Sequence, residues 1–129
     1  TERTLASMAA EVEPAQQTVP KDIATIVSQF GGAWGVADNY NARVRTFFTP
    51  PSNGNYVFFV SADDNARVYL STDDKPANKK LIAQESGWSN QYQWTAPGAG
   101  AAEDKRSDVF SGTEWETFNT ITLAANKTY

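Results

Sequence analysis

The sequence has no cysteine and no histidine among its 129 residues. Without thiols there is no disulfide, iron–sulfur ligation or thiolate nucleophile; without imidazole there is no Ser-His-Asp arrangement and no zinc site of the usual Cys/His kind. No apolar run reaches the roughly 18 residues that a membrane-spanning helix needs. Thr1 to Ala10 has no basic region followed by an apolar one, so no signal-peptide pattern is visible. Positive charge is also scarce. Eleven Lys and Arg face fifteen Asp and Glu, and a net charge of -4 disfavours a protein that tracks nucleic-acid phosphates. The chemistry left is that of carboxylates, hydroxyls, amides, aromatic rings and a hard cation held by oxygen. What is present is globular in character: 40% hydrophobic and 20% charged residues, enough for one domain with a core of its own. Zero cysteine fits the cytosol and also bacterial secretion without disulfides. Asn126-Lys127-Thr128 matches a glycosylation acceptor, a pattern short enough to arise by chance.

Residues 1–30 read as a polar arm with short helical segments. Leu5, Met8, Ala9 and Val12 fall at helical spacing, as do Ile23, Ile26, Val27 and Phe30, and Gly31-Gly32 ends the second group. From Asn41 the texture becomes β. The alternation over 42–48 predicts a strand, Thr49 to Gly54 a turn, and 55–61 a second strand, apolar on both faces and central. The short connection predicts that these two strands form an antiparallel hairpin. Further strands are expected over 66–70, 80–84 and 117–123, with another beginning at Thr128-Tyr129. Residues 86–117 hold three of the four tryptophans and a loose-looking Ala-Pro-Gly-Ala-Gly-Ala-Ala stretch, and read as a long surface excursion. Many short strands with frequent turns predict an all-β sandwich or barrel.

Several stretches together resemble the PA14 domain of bacterial surface and secreted proteins. They are Trp34-Gly35-Val36-Ala37-Asp38-Asn39-Tyr40, Arg43 to Phe48, Pro50 to Leu70 with Asp63-Asp64 inside it, and Ser71 to Ala83. Ile121 to Tyr129 resembles the family's late strand–turn–strand, where glycine is more usual at Asn126. The resemblance is strong over 34–88, moderate over 117–129 and poor over 1–30 and 89–116. It implies an antiparallel β-sandwich of PA14 type over 31–129, behind an arm at 1–30. It also implies a non-catalytic extracellular or cell-surface module that binds a glycan or cell-surface polysaccharide, or serves in adhesion. The rival reading is a structural or protein-interaction module of a larger surface assembly, with no small ligand. Nucleic acid and membrane insertion are not expected.

In the lectin-like members an Asp-Asp pair joined by a cis peptide bond binds calcium, and the calcium binds sugar hydroxyls. Asp63 and Asp64 match that pair, so the resemblance implies Ca2+ as a cofactor there. Calcium takes 6–8 oxygens, and two carboxylates supply only part of its shell. The bland alternative is a polar turn whose carboxylates cap backbone N–H groups. Asp73-Asp74, followed by Pro76, is read as that kind of turn. Trp88, Tyr92 and Trp94 lie in polar sequence and offer either a stacking platform for sugar rings or plugs folded back over the sheet. Tyr56, Phe58 and Val60 on one face and Val57 and Phe59 on the other are expected in the core. Glu114 and Glu116 share a face if they lie on a strand, about 7 Å apart, an inverting-glycosidase spacing. Glu-x-Glu on a solvated face is commoner, and no enzyme is expected. The family continues past the position of Tyr129. The chain is therefore expected to be a fragment completed by a C-terminal piece or another chain, with calcium weak in it alone.

Overall fold

The computed structural model describes residues 30–31, 41–118 and 120–129. The helical segments expected within 1–30 lie outside the described residues except for Phe30, a bend residue 64% exposed, and Trp34 lies outside them as well. The chain divides into two compact units, 1–46 and 47–129. In the first, residues 41–46 form no strand, and Val44 is half-buried.

The second unit carries the β structure. Strand β1 is Gly54–Tyr56, β2 is Ala66–Ser71, β3 is Lys79–Glu85 and β4 is Ile121–Leu123. They form two small antiparallel sheets, β1 with β4 and β2 with β3. A 3-10 turn, Pro76–Asn78, lies between β2 and β3. All the regular structure described beyond that turn is β, as the sequence predicts. β2 and β3 contain the strands expected over 66–70 and 80–84. The expected hairpin between 42–48 and 55–61 does not form. The register of β1 is Gly54↔Leu123 and Tyr56↔Ile121. Side chains reinforce that choice, since Thr122 donates to Asn55 Oδ1 at 2.8 Å and Ala125 N–H donates to Asn53 Oδ1 at 2.8 Å. Phe48 instead exchanges two backbone hydrogen bonds with Tyr129, both 2.9 Å, as in one rung of an antiparallel ladder.

The β2–β3 register slips by one between Val68 and Tyr69, from Val68↔Ala83 to Tyr69↔Leu81. The unpaired residue is Ile82. A bulge turns two successive side chains toward similar directions, which explains why Ile82 and Ala83 are both fully buried although they are neighbours. Leu70, Ile82, Ile121, Leu123 and Tyr129 form the core, with Phe48, Tyr56, Phe58, Val68 and Trp115 packed on it. Phe48 meets Tyr56 and Phe58 edge-on, each at 5.8 Å, the arrangement aromatic quadrupoles favour. Both sheets thus feed one cluster. The free edge of β3 is closed by residue 114. Glu114 N–H donates to Leu81 O and Glu114 Oε2 accepts from Leu81 N–H, each at 2.8 Å, so the open edge finds no other strand.

Asn126 sits in the turn after β4 with φ 61°, a left-handed conformation in which Asn and Gly are tolerated and β-branched residues are strained. Asn126→Val is expected to lose about 1–2 kcal/mol of stability. Asn126→Gly should stay within about 1 kcal/mol of the parent. Urea denaturation of the two variants checks this; equal stability would show that the turn relaxes.

Candidate functional site

The Asp-Asp pair lies in the connection that enters β2. The Asp63–Asp64 peptide bond is cis. Asp63 is exposed and Asp64 half-buried. Neither carboxylate has a hydrogen-bond or ion-pair partner among the described residues. Asp73, the other candidate, behaves differently. Its Oδ1 accepts from Lys75 N–H at 2.9 Å, and its Oδ2 accepts from Asn78 Nδ2 at 2.8 Å. The Lys75 N–H is the main cause holding the Asp73 carboxyl below its ordinary pKa. Asp73 is therefore a turn organiser, as read from the sequence. Asp63 and Asp64 have no capping role in this structure.

The aromatic loop is stitched to the backbone just ahead of the pair. Ser89 N–H donates to Ala62 O at 2.7 Å, and Ala62 N–H to the buried Ser89 Oγ at 3.3 Å. Tyr92 N–H donates to Ser61 Oγ at 3.2 Å. Ser61 precedes Asp63 by two residues, roughly 7 Å of extended backbone. Tyr92 and Trp94 stand edge to face at 5.5 Å, and Trp94 is 6.2 Å from Phe59. Their exposures are 59%, 43% and 41% for Tyr92, Trp94 and Phe59, and Trp88 is 40% exposed. These rings are not plugs over the core. Val57 and Phe59 were expected in the core, but their face of the 55–61 segment is open and extends the aromatic patch. A single apolar residue in a strand pattern does not reveal which face is covered, so Phe59 was not expected among the exposed rings. The guanidinium of Arg106 lies 5.8 Å over the Phe59 ring, and Phe59 and Arg106 form an isolated antiparallel bridge.

What fixes the loop is internal. Lys105 is fully buried, its Nζ donating at 2.5 Å to both Gln93 O and Ala96 O and lying 3.8 Å from Glu85 Oε2. Glu85, also fully buried, accepts at Oε1 from Gly87 N–H at 3.0 Å, while Oε2 has the ion pair alone. The Ala-Pro-Gly-Ala-Gly-Ala-Ala stretch, expected to pack loosely, is tightly packed. A side chain on Gly98 would collide with Trp88 O, and one on Gly87 would meet Ala99 Cβ at 2.7 Å. Those glycines allow close backbone approach. Gln93 secures the tip through Asn90 and Pro97 O.

Glu114 and Glu116 do not act as a pair. Residues 113–118 form no strand, and the Glu114 carboxylate is committed to Leu81. Among the described residues no group of three or more acidic side chains could hold a metal ion. Asp63 and Asp64 suit a hard cation by donor type but supply two of its 6–8 oxygens, so carbonyls, amides or sugar hydroxyls must supply the rest.

The PA14 domain matches residues 13–129, and the chain belongs to that family. PA14 domains occur in carbohydrate-binding and adhesion proteins, typically extracellular or at the cell surface. The chain is 38% identical over 60 residues to mouse N-acetyl-beta-glucosaminyl-glycoprotein 4-beta-N-acetylgalactosaminyltransferase 1, covering 46% of this chain and 6% of that protein. It is 34% identical over 55 residues to mouse fibrocystin-L and 34% over 56 residues to dog fibrocystin, in each case 43% of this chain and 1% of the relative. The chain thus spans a small part of the relatives it matches. No solved structure matches it. No described helix is long and apolar enough to cross a membrane.

Two outcomes are expected of the groups that hold the loop and patch. Lys105→Met leaves the buried Glu85 Oε2 without its ion pair and takes the donor from the Gln93 and Ala96 carbonyls, and breaking such a pair from one side should lose about 3–5 kcal/mol. Urea melts of Lys105→Met, alone and with Glu85→Gln, measure it; a larger loss in the double variant would refute the pairing. Arg106 donates to Asp108 at 3.1 and 2.6 Å. That hydrogen bond chiefly holds the Asp108 carboxyl below 3.8. The pair therefore contributes stability above pH 3.8 that disappears as the pH falls below it. The side chains are 35% and 25% exposed, so the contribution is under about 1 kcal/mol. Asp108→Asn should flatten the acid limb of a stability–pH curve by that amount.

Proposed function

We propose that this chain is a non-catalytic carbohydrate-binding module of an extracellular or cell-surface protein, in which Asp63 and Asp64 hold calcium and calcium binds sugar hydroxyls. The observation that carries the proposal is the adjacent carboxylate pair without partners beside an exposed aromatic patch, in a chain of the PA14 family. Adjacent carboxylates free of protein donors are suited to a hard cation. Exposed rings offer flat apolar faces to the CH face of a pyranose. Tyr92, Trp94 and Phe59 form one such surface, with Trp88 on the same loop. Family membership also supports a β-sandwich around the core. A structural module of a larger assembly is the second reading. It is favoured by the missing third acidic ligand, since two carboxylates alone hold calcium weakly.

Calorimetry with calcium chloride tests the first reading. Binding in the parent that Asp63→Asn abolishes is expected, and a glycan array probed with calcium should then give signals lost in Trp94→Ala. Silence in both experiments would reject the carbohydrate reading in favour of the structural one.

A further inference from the structure

A groove lies at the end of β2 away from the Asp63–Asp64 pair. Thr72 follows the last residue of β2 and Asp64 precedes its first by two. A six-residue strand is about 20 Å long, so the groove is separate from the Asp63–Asp64 pair. It encloses about 260 Å³ between Trp115, Glu116, Thr72, Thr122, Lys127 and Tyr129. Ligand pockets usually begin near 300 Å³, so one sugar ring is the scale rather than an oligosaccharide.

Its walls combine an aromatic surface with polar groups of both kinds. Trp115 packs on the core by one side and is half-buried, and Tyr129 is 8% exposed. Lys127 is held in place, donating to Thr72 O at 2.9 Å with its Nζ 4.7 Å from the Tyr129 ring centroid. An ammonium has three donors, so two remain for a ligand. The carboxylate of Glu116 and the indole N–H of Trp115 have no partner among the described residues. The residues lining the groove therefore carry two acceptor oxygens, unpartnered N–H donors, threonine hydroxyls and an apolar ring. Glu116 repels an anion, and the fixed Lys127 ammonium repels a cation. A neutral ligand with many hydroxyls and one apolar face satisfies every wall.

We infer that this groove is a second, calcium-independent binding site for a single neutral pyranose unit. Glu116 accepts from two of the sugar's hydroxyls, Lys127 donates to a third, and Trp115 lies against the CH face. The inference goes beyond the Asp63–Asp64 reading and stands on different residues.

Indole N–H resonances in 15N-edited spectra test it, with Trp115 assigned through Trp115→Phe. The probes are glucose, galactose, mannose and N-acetylglucosamine, each titrated in excess EDTA and again in calcium chloride. At least one should move the Trp115 resonance saturably, equally in Asp63→Asn. Glu116→Gln removes a charged hydrogen-bond acceptor from an exposed, unpartnered position, so its fold should hold, as the remaining spectrum will show. Affinity should fall about tenfold or more. A Trp115 resonance unmoved by all four sugars, or a shift unchanged in Glu116→Gln, overturns the inference. A calcium-dependent response of Trp88 or Trp94 with Trp115 silent rejects this site while leaving the first intact. The converse pattern supports this site and rejects the first.

Discussion

The Nζ of Lys105 lies wholly out of water, and its place determines the course of residues 86–105. Removing an ammonium from water costs several kcal/mol even after relaxation. Here two carbonyls, from Gln93 and Ala96, and the Glu85 carboxylate offset that cost. Each charge-assisted hydrogen bond returns about 1.5–3 kcal/mol, and both are available only when the loop closes around the charge. The backbone on either side is drawn in as well: Lys105 O accepts from Val60 N–H at 3.0 Å, and Asp104 O accepts from Gln84 N–H at 2.9 Å. One buried cation thus ties β3, the segment after β1 and the loop tip together. The aromatic patch beside Asp63 depends on that knot, because Tyr92 and Trp94 flank the Gln93 carbonyl it holds.

Sequence reasoning recovered the parts of the fold governed by periodicity. Runs of strand-forming residues between turn signals placed strands at 66–70 and 80–84, which β2 and β3 contain, and the turn chemistry of Asp73, Lys75 and Pro76 gave their connection. It failed where a specific pair overrides a general tendency. Lysine is among the residues least often buried, so nothing in the string marks Lys105 as a hub. Glycine and alanine over 96–102 resemble slack, yet Gly98 is small because Trp88 O lies against it. The bulge at Ile82 is a one-residue slip, visible only once the partner strand is known. The 55–61 segment has apolar residues on both faces; one face meets Phe48 and the core, while the other stays open at Val57 and Phe59.

The candidate site was legible to a different degree. Asp63 and Asp64 were marked by resemblance, and Trp88, Tyr92 and Trp94 by aromatic residues in polar sequence. Phe59 was hidden by its strand context. The groove at Trp115 was not legible, because it joins Thr72, Glu116, Thr122 and Lys127 from turns and strands far apart in the chain. Glu116 had been weighed only as half of a Glu-x-Glu pair. The structure separates it from Glu114, whose carboxylate closes the edge of β3, and leaves Glu116 facing the groove.

The two ends of β2 show why identical dipeptides differ in chemistry. An aspartate is ordinarily satisfied by the N–H two residues further along the chain. For Asp73 that donor is Lys75, in a turn free to bend back, and Asn78 completes the pairing. For Asp64 the residue two further on is Ala66, already in register with Glu85 at the start of the β2–β3 ladder. A strand holds that backbone extended, so it does not fold back over the carboxylate. The ladder that begins at Ala66 keeps the nearest such donor from Asp64, and the Ala62 N–H before the pair is taken by Ser89 Oγ. Asp63 is exposed and Asp64 half-buried, and with no partner among the described residues their carboxylates are left to water or to another group from solution.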